Sequence, residues 1–275
     1  MNFTEKLQAA SKKNNSLLCV GLDPDPVLMP NVNVIEWGKQ IIEATKDLVC
    51  AYKPNFAFYE ALGVNGLDKL YQTIQQVPEY VPVIGDAKRG DIGNTAQKYA
   101  YSIFEVFGCD AVTVSPYLGF DSIKPFTDYS DKGIFILCHT SNPSAPEFQY
   151  LSCQTDNNPE AIPLYELVAM KALEWNDNKN IGLVVGATTP APLKRVRELC
   201  PDMPILIPGI GAQKGSLNSA VRNGIDSKGQ NAIITVSRQV IYASTGKDFS
   251  SAARLEASKL RTRITQLVAK NKGAN

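Results

Sequence analysis

Histidine is nearly absent: His139 is the only one among 275 residues. That excludes a multi-histidine metal cluster, and a Ser-His-Asp triad would have to rest on this one side chain. At the end of an apolar run it reads as a satisfied rim histidine. Net charge is missing too. With 28 basic and 27 acidic residues the balance is +1, so no overall field favours a nucleic acid or an anionic membrane. An anionic ligand must then be gripped by a local cluster. No cysteine pair has C-x-x-C spacing: Cys19, Cys50, Cys109, Cys138, Cys153 and Cys200 are scattered and are expected as buried thiols of a reducing compartment. The stretch 1–15 has Lys6, Lys12 and Lys13 but no apolar h-region, so no signal peptide is expected. Apolar stretches such as 181–187 are too short to span a bilayer. The expectation is a cytoplasmic protein with no membrane and no nucleic-acid partner.

What is present is ordinary globular composition, 44% hydrophobic and 20% charged, and a strong alternation of elements. β-Branched runs at 17–22, 51–58, 81–88, 111–115, 133–139, 181–187, 204–208 and 232–237 read as strands. Between them, apolar residues recur three or four apart, as in Leu67, Leu70, Ile74 and Val77 or Ala96, Tyr99, Ala100, Ile103 and Val106, which predicts helices. Asn94 with Gln97 resembles a capping box, and Thr189 before Pro190 supplies an N-cap followed by proline. The segment 255–268 reads as a closing surface helix.

Eight strand-helix units at about 34 residues each predict an α/β fold, a single-domain (β/α)8 barrel over 1–275 with its site at the C-terminal ends of the strands. A doubly wound sheet is the alternative. It is disfavoured because Leu22-Asp23-Pro24-Asp25-Pro26 follows the first strand in place of G-x-G-x-x-G. No composition break marks a second domain. The stretch 142–159, after the fifth strand, is expected as an irregular loop or lid on the active face.

Charges at the strand ends are therefore the ones to question. The third strand runs into Asp86-Ala87-Lys88-Arg89-Gly90-Asp91-Ile92-Gly93-Asn94-Thr95. Period two puts Asp86 and Lys88 on one side, and the Gly90 turn can bring Asp91 near them. Lys53 lies similarly in the second strand, within Tyr52-Lys53-Pro54-Asn55-Phe56, and Asp23 closes the first. One Asp-Lys pair would be read as a structural salt bridge. Several such charges on neighbouring strand ends are too costly to desolvate for stability alone. A second cluster follows strands seven and eight: Pro208-Gly209-Ile210-Gly211-Ala212-Gln213-Lys214-Gly215, and Ser237-Arg238. Barrels commonly bind phosphate there, and the backbone of Gly209 and Gly211, the amide of Gln213 and the guanidinium of Arg238 suit an anion.

At 86–95 the sequence resembles the orotidine 5′-phosphate decarboxylase family, in particular its type 2, mycobacterial-like subgroup. Cys19-Val20-Gly21-Leu22-Asp23-Pro24, Tyr52-Lys53-Pro54, Thr140-Ser141-Asn142-Pro143 and the phosphate end fit the same family. D-x-K-x-x-D alone is shared with a wider suprafamily; joined to Lys53 it is specific. The resemblance implies decarboxylation of orotidine 5′-phosphate to uridine 5′-phosphate and CO2, in pyrimidine biosynthesis, without cofactor or metal. It also implies roles for named residues. Lys88 is then the proton donor, Asp86 and Asp91 its paired carboxylates, and Lys53 the lysine that orders them. Asp23 contacts the ribose, Ser141 the pyrimidine, and Gln213 and Arg238 the phosphate. Asp91, Ile92 and Thr95 would reach the neighbouring subunit's site, so the partner implied is a second copy, in a homodimer with shared sites. Two other readings stand beside this one. A magnesium-dependent suprafamily enzyme would be expected to carry a carboxylate where Lys53 stands, and a nucleotide sensor would have no need of Lys88.

Overall fold

The computed structural model describes residues 1–155, 158–211 and 215–272. The expected runs become β1 (Leu18–Leu22), β2 (Ala51–Pro54), β3 (Ile84–Arg89), β4 (Ala111–Val114) and β5 (Gly133–His139). After the hairpin strands β6 (Ser152–Thr155) and β7 (Asn158–Pro163) come β8 (Ile181–Val185), β9 (Ile205–Ile207) and β10 (Ala232–Val236). The main sheet has eight strands in the order β2-β1-β10-β9-β8-β5-β4-β3, all paired in parallel. Parallel bridges Tyr52↔Val83 and Asn55↔Asp86 join its two edges. The sheet is thus a nearly closed (β/α)8 barrel, with helices between successive strands.

Period two sorts the strand residues into an inner and an outer set. The inner set begins with Cys19, Ala51, Ile84, Ala111, Phe135, Val184, Leu206 and Ile233, one from each strand, packed together as a buried cluster. Phe3 and Leu7 of the helix Phe3–Asn14 close this cluster from below, and the Phe3 ring meets Phe135 edge-on at 5.6 Å. Asn2 and Glu5 cap the helix reciprocally, each side chain 2.9 Å from the other's backbone N–H, and Lys6 pairs with Asp110 at 2.7 Å. Two residues further along β2, β3, β4 and β10 the same inward face turns polar: Lys53, Asp86, Thr113 and Thr235 are all buried. The outer faces pack on the helices in a second, larger core that includes Leu18, Val20, Leu22, Ile134, Ile136 and Leu183.

Four local expectations are corrected. The helix after β3, Gly93–Tyr101, has Ile92 as its N-cap and no side-chain cap, so Asn94 lies inside its first turn and the expected capping box does not form. The stretch 142–159 is not irregular. It holds a short helix, Pro146–Gln149, and the antiparallel pair β6–β7. Thr189 does precede the helix Pro190–Leu199, but its hydroxyl donates to the Gly186 carbonyl at 3.0 Å rather than capping that helix. The closing helix runs longer than expected, over Phe249–Lys272. Among the described residues no helix is long and apolar enough to cross a membrane.

Because Phe3 is 3% exposed and seals the apolar floor, Phe3→Ala should lower the free energy of unfolding by about 3–5 kcal/mol, as for other buried Phe→Ala changes. Urea denaturation checks this, and a loss of only a few tenths would show that the helix does not plug the barrel.

Candidate active site

Above the apolar floor, one carboxylate meets two ammonium groups. Lys53 Nζ lies 2.6 Å from Asp86 Oδ2, and Lys88 Nζ lies 2.5 Å from Asp86 Oδ1. Thr113 donates its hydroxyl to Asp86 Oδ1 at 3.1 Å. The two lysines differ in surroundings. Lys53 is 4% exposed, whereas the Lys88 side chain is 51% exposed, so Lys88 is the one that a molecule in the barrel mouth can touch. Burial alone would raise the Asp86 carboxyl, but Lys53 and Lys88 outweigh it and hold the group well below the usual carboxylate range. Burial likewise works against the charged form of Lys53, and the fields of Asp86 and Asp23 overcome it and hold the ammonium above its ordinary value. Asp86 and Lys53 are therefore both ionised at neutral pH.

Asp23, just past β1, completes the ring. Burial lifts its carboxyl above the ordinary value, opposed by Lys53 and by a hydrogen bond from Ser237. Its Oδ1 is buried without a hydrogen-bond partner among the described residues, an acceptor left for something else to satisfy. Gly21 makes this corner possible. A Cβ there would stand 1.8 Å from Ser237 Oγ and 3.2 Å from Asp23 Oδ2. Tyr242 fixes the loop beyond: its hydroxyl accepts from the Asp25 N–H and donates to the Asp23 carbonyl, both at 2.6 Å, and its ring stacks on Trp37.

The second cluster is brought to the same face. Gly209 and Gly211 have φ of 103° and 83°, left-handed values that favour glycine, and Gly215 N–H closes the loop on the Gly209 carbonyl at 3.0 Å. A Cβ on Gly211 would approach Gln239 Oε1 to 2.8 Å, so this loop abuts the short helix Arg238–Ile241. Arg238 is exposed, and its guanidinium has no hydrogen bond or ion pair among the described residues. Gln213 lies outside the described residues. Ser141, past the end of β5, packs across the end of β8, where a Cβ on Gly186 would stand 2.9 Å from its own Cβ.

Asp91 departs from the expectation. No ion pair joins it to Lys88 among the described residues; its Oδ1 accepts only the Ile92 N–H, at 2.8 Å. Among the described residues the Gly90 turn does not gather it into the ion cluster of Asp86, Lys53 and Lys88. Ile92 is 59% exposed and Thr95 is exposed beside it. His139 is buried with Nδ1 3.2 Å from Thr189 Oγ1, while Nε2 has no hydrogen-bond partner among the described residues. It is only half satisfied, and burial holds it below its ordinary value. Thr113 and Tyr242 stand in none of the sequence motifs, and Ser237 stands in one only as the neighbour of Arg238. Thr113 and Ser237 share the inward parity of Ala111 and Thr235, a signal that was there to be read; the pairing of Tyr242 with residues 23 and 25 carries no local pattern.

Comparison with known proteins decides among the suprafamily readings. The model of the Orotidine 5′-phosphate decarboxylase / HUMPS family matches residues 16–252. This chain belongs to that family. A protein named orotidine 5′-phosphate decarboxylase from Dehalococcoides mccartyi is 52% identical over 265 residues, 96% of this chain and 97% of the relative. One of the same name from Herpetosiphon aurantiacus is 48% identical over 258 residues, 92% and 94% of the two chains. The solved structure of Leishmania donovani OMP decarboxylase superposes with a TM-score of 0.85 at 40% identity, covering 98% of this chain and all of that one. The barrel with its charged mouth is thus the fold of orotidine 5′-phosphate decarboxylases.

Removing Lys53 would leave Asp86 and Asp23 buried without their shared counter-charge. Lys53→Met should cost about 3–5 kcal/mol of stability at pH 8. In the parent, the depressed Asp86 contributes stability that is fully present above its ordinary value of 3.8 and is lost only as pH falls toward its folded value. In the variant both carboxylates shift upward and take up protons before the unfolded chain does, so the gap to the parent should narrow at pH 5. Urea unfolding at the two pH values is the check, and a gap that stays constant would show that neither carboxylate senses Lys53.

Proposed function

We propose that this chain converts orotidine 5′-phosphate to uridine 5′-phosphate and CO2, acting as a carboxy-lyase of pyrimidine biosynthesis. The observation that carries the reading is the half-exposed Lys88 ammonium held on Asp86 at the barrel mouth. Decarboxylation at C6 breaks the bond to the carboxyl carbon and leaves its electron pair in the plane of the ring, where no adjacent π system can absorb it. An ammonium fixed beside C6 stabilises charge that exists chiefly in the transition state. Its proton then goes to C6, CO2 departs, and the neutral amine regains a proton from water. Asp86 supports the step by holding the Lys88 ammonium in place through their ion pair. Because each Asp86 oxygen already faces an ammonium, this carboxylate is poorly disposed to ligate a magnesium ion, which weighs against the metal-dependent reading.

The remaining roles follow the same placement. Asp23, with a buried acceptor lacking a partner, takes a ribose hydroxyl, and Lys53 lies beside it. Ser141 meets the pyrimidine. Gly209, Gly211, Gln213 and Arg238 hold the phosphate, and the guanidinium of Arg238 is uncommitted among the described residues. Remote phosphate binding of this kind can be spent on orienting the ring. The family's type 2 subgroup is the assignment that the motifs favour. Six unpaired cysteines suit a reducing cytoplasm.

We further infer a homodimer with shared sites. Asp91 forms no ion pair among the described residues, Ile92 next to it is 59% exposed, and Tyr117 and Leu118, past the end of β4, are exposed too, as an uncovered interface would be. In such a dimer Asp91 joins the partner's Lys88, with Ile92 and Thr95 beside it.

Mixing the protein with orotidine 5′-phosphate in a chelator and following the pyrimidine absorbance tests the reaction. The orotate band should disappear with the parent and persist with Lys88→Ala, while that variant still binds uridine 5′-phosphate; turnover by Lys88→Ala near the parent rate would remove the role given to this lysine. Shared sites have their own test. Lys88→Ala and Asp91→Ala should each be inactive alone, and activity should return when they are mixed, since one site of each mixed dimer then holds both residues. No recovery in a demonstrably mixed dimer places Asp91 in its own chain's site.

A further inference from the structure

Past Gly85 the ladder between β3 and β4 loses step. Gly85 pairs with Val112 and Arg89 with Val114, so Asp86, Ala87 and Lys88 stand opposite Thr113 alone. A bulge of this kind strips backbone N–H groups of their ladder partners, and a buried N–H without a partner is costly. Thr113 is 1% exposed, and its hydroxyl accepts from the N–H of Ala87 at 3.1 Å and of Lys88 at 3.0 Å while donating to Asp86 Oδ1 at 3.1 Å. One donor and two lone pairs are all a hydroxyl has, and all are used.

Lys88 itself is strained. Its φ is 45°, in the left-handed region that residues with a Cβ visit rarely and at a cost, unless the surroundings impose it. Normal β-strand backbone at Lys88 would restore ladder geometry but would not offer both amides to one hydroxyl.

We propose that Thr113 is a positioning residue for decarboxylation: through its three hydrogen bonds it holds Lys88 in the turn that aims the ammonium along Asp86 into the barrel mouth. The inference rests on the function proposed above. It differs from a packing role, because a packing role asks only for the shape of threonine, whereas this one asks for the hydroxyl.

Thr113→Val keeps the shape and removes the hydroxyl. Its kcat on orotidine 5′-phosphate should fall about 10²-fold, the scale at which small displacements of a reacting group act, while KM and the affinity for uridine 5′-phosphate stay near the parent's. Thr113→Ser keeps the hydroxyl and should restore most of the rate. A folded Thr113→Val with the parent's kcat, or valine and serine variants equally impaired, would overturn the inference. Should Thr113→Val not fold, Thr113→Ala carries the same comparison with serine. Each variant is read against the parent in one assay. A parent without decarboxylase activity overturns the proposed function and this inference together, and an active parent matched by Thr113→Val overturns this inference alone.

Discussion

Asp86 carries one negative charge on two oxygens, and each oxygen faces a different ammonium, Lys53 at 2.6 Å and Lys88 at 2.5 Å. Neither buried charge could stand by itself. Lys53 without Asp86 would be driven toward its neutral form by burial, and Asp86 without the lysines would be driven to protonate. The barrel mouth is therefore held in one ionisation state by mutual dependence, and Lys88 is the one member that extends beyond the buried part. A flexible four-carbon side chain at a strand end would ordinarily sample many rotamers. Here one end of it is tied to a buried carboxylate, so its charge is preorganised before any ligand arrives, and that is the condition under which electrostatic catalysis costs least in reorganisation.

The barrel makes this possible by splitting the inward faces of β2, β3, β4 and β10 into two regions of opposite character. Ala51 and Ile84 belong to the apolar floor; two residues on, Lys53 and Asp86 belong to the ion cluster. The floor, sealed by Phe3, excludes water from beneath. The low-dielectric base then strengthens the interactions above it, and the same burial makes any missing partner expensive. Thr235 and Asp23 each retain a buried oxygen without a hydrogen-bond partner among the described residues. Asp23 stands at the rim, where a ligand hydroxyl would relieve it. Stability has been given up at the face where binding would recover it.

The barrel is legible in the sequence because all eight parallel strands are buried and read as continuous β-branched runs. The ion cluster is legible because strand parity survives from Asp86 to Lys88 in the placement of their side chains. The hairpin β6–β7 is not, because its strands are short and carry two prolines, Pro159 and Pro163, that mask the pattern. The helix Phe3–Asn14 falls outside the strand-helix alternation that organised the reading, although Asn2 and Glu5 show a capping signature. Thr113 escaped notice because its role depends on a register break between two strands, which no single-strand periodicity encodes.

Asp91 shows where chain-local reasoning reaches its limit. D-x-K-x-x-D places three charges within six residues, and a turn at Gly90 is the simplest way to gather them. The backbone does otherwise: Lys88 takes φ of 45° and Gly93 of 50°, and the helix Gly93–Tyr101 leads the chain outward. A compact motif in sequence is thus divided in its pairing: Asp86 and Lys88 are joined by an ion pair, and Asp91 accepts the N–H of exposed Ile92. On the dimeric reading, the two halves of the motif serve two different sites. Lys88 would then be flanked by Asp86 through its own strand and by a carboxylate brought by association, and the assembly of the site would be inseparable from the assembly of the protein. A monomer would retain the inner ion cluster but lack the outer acid, so dissociation would abolish turnover before it disturbed the barrel.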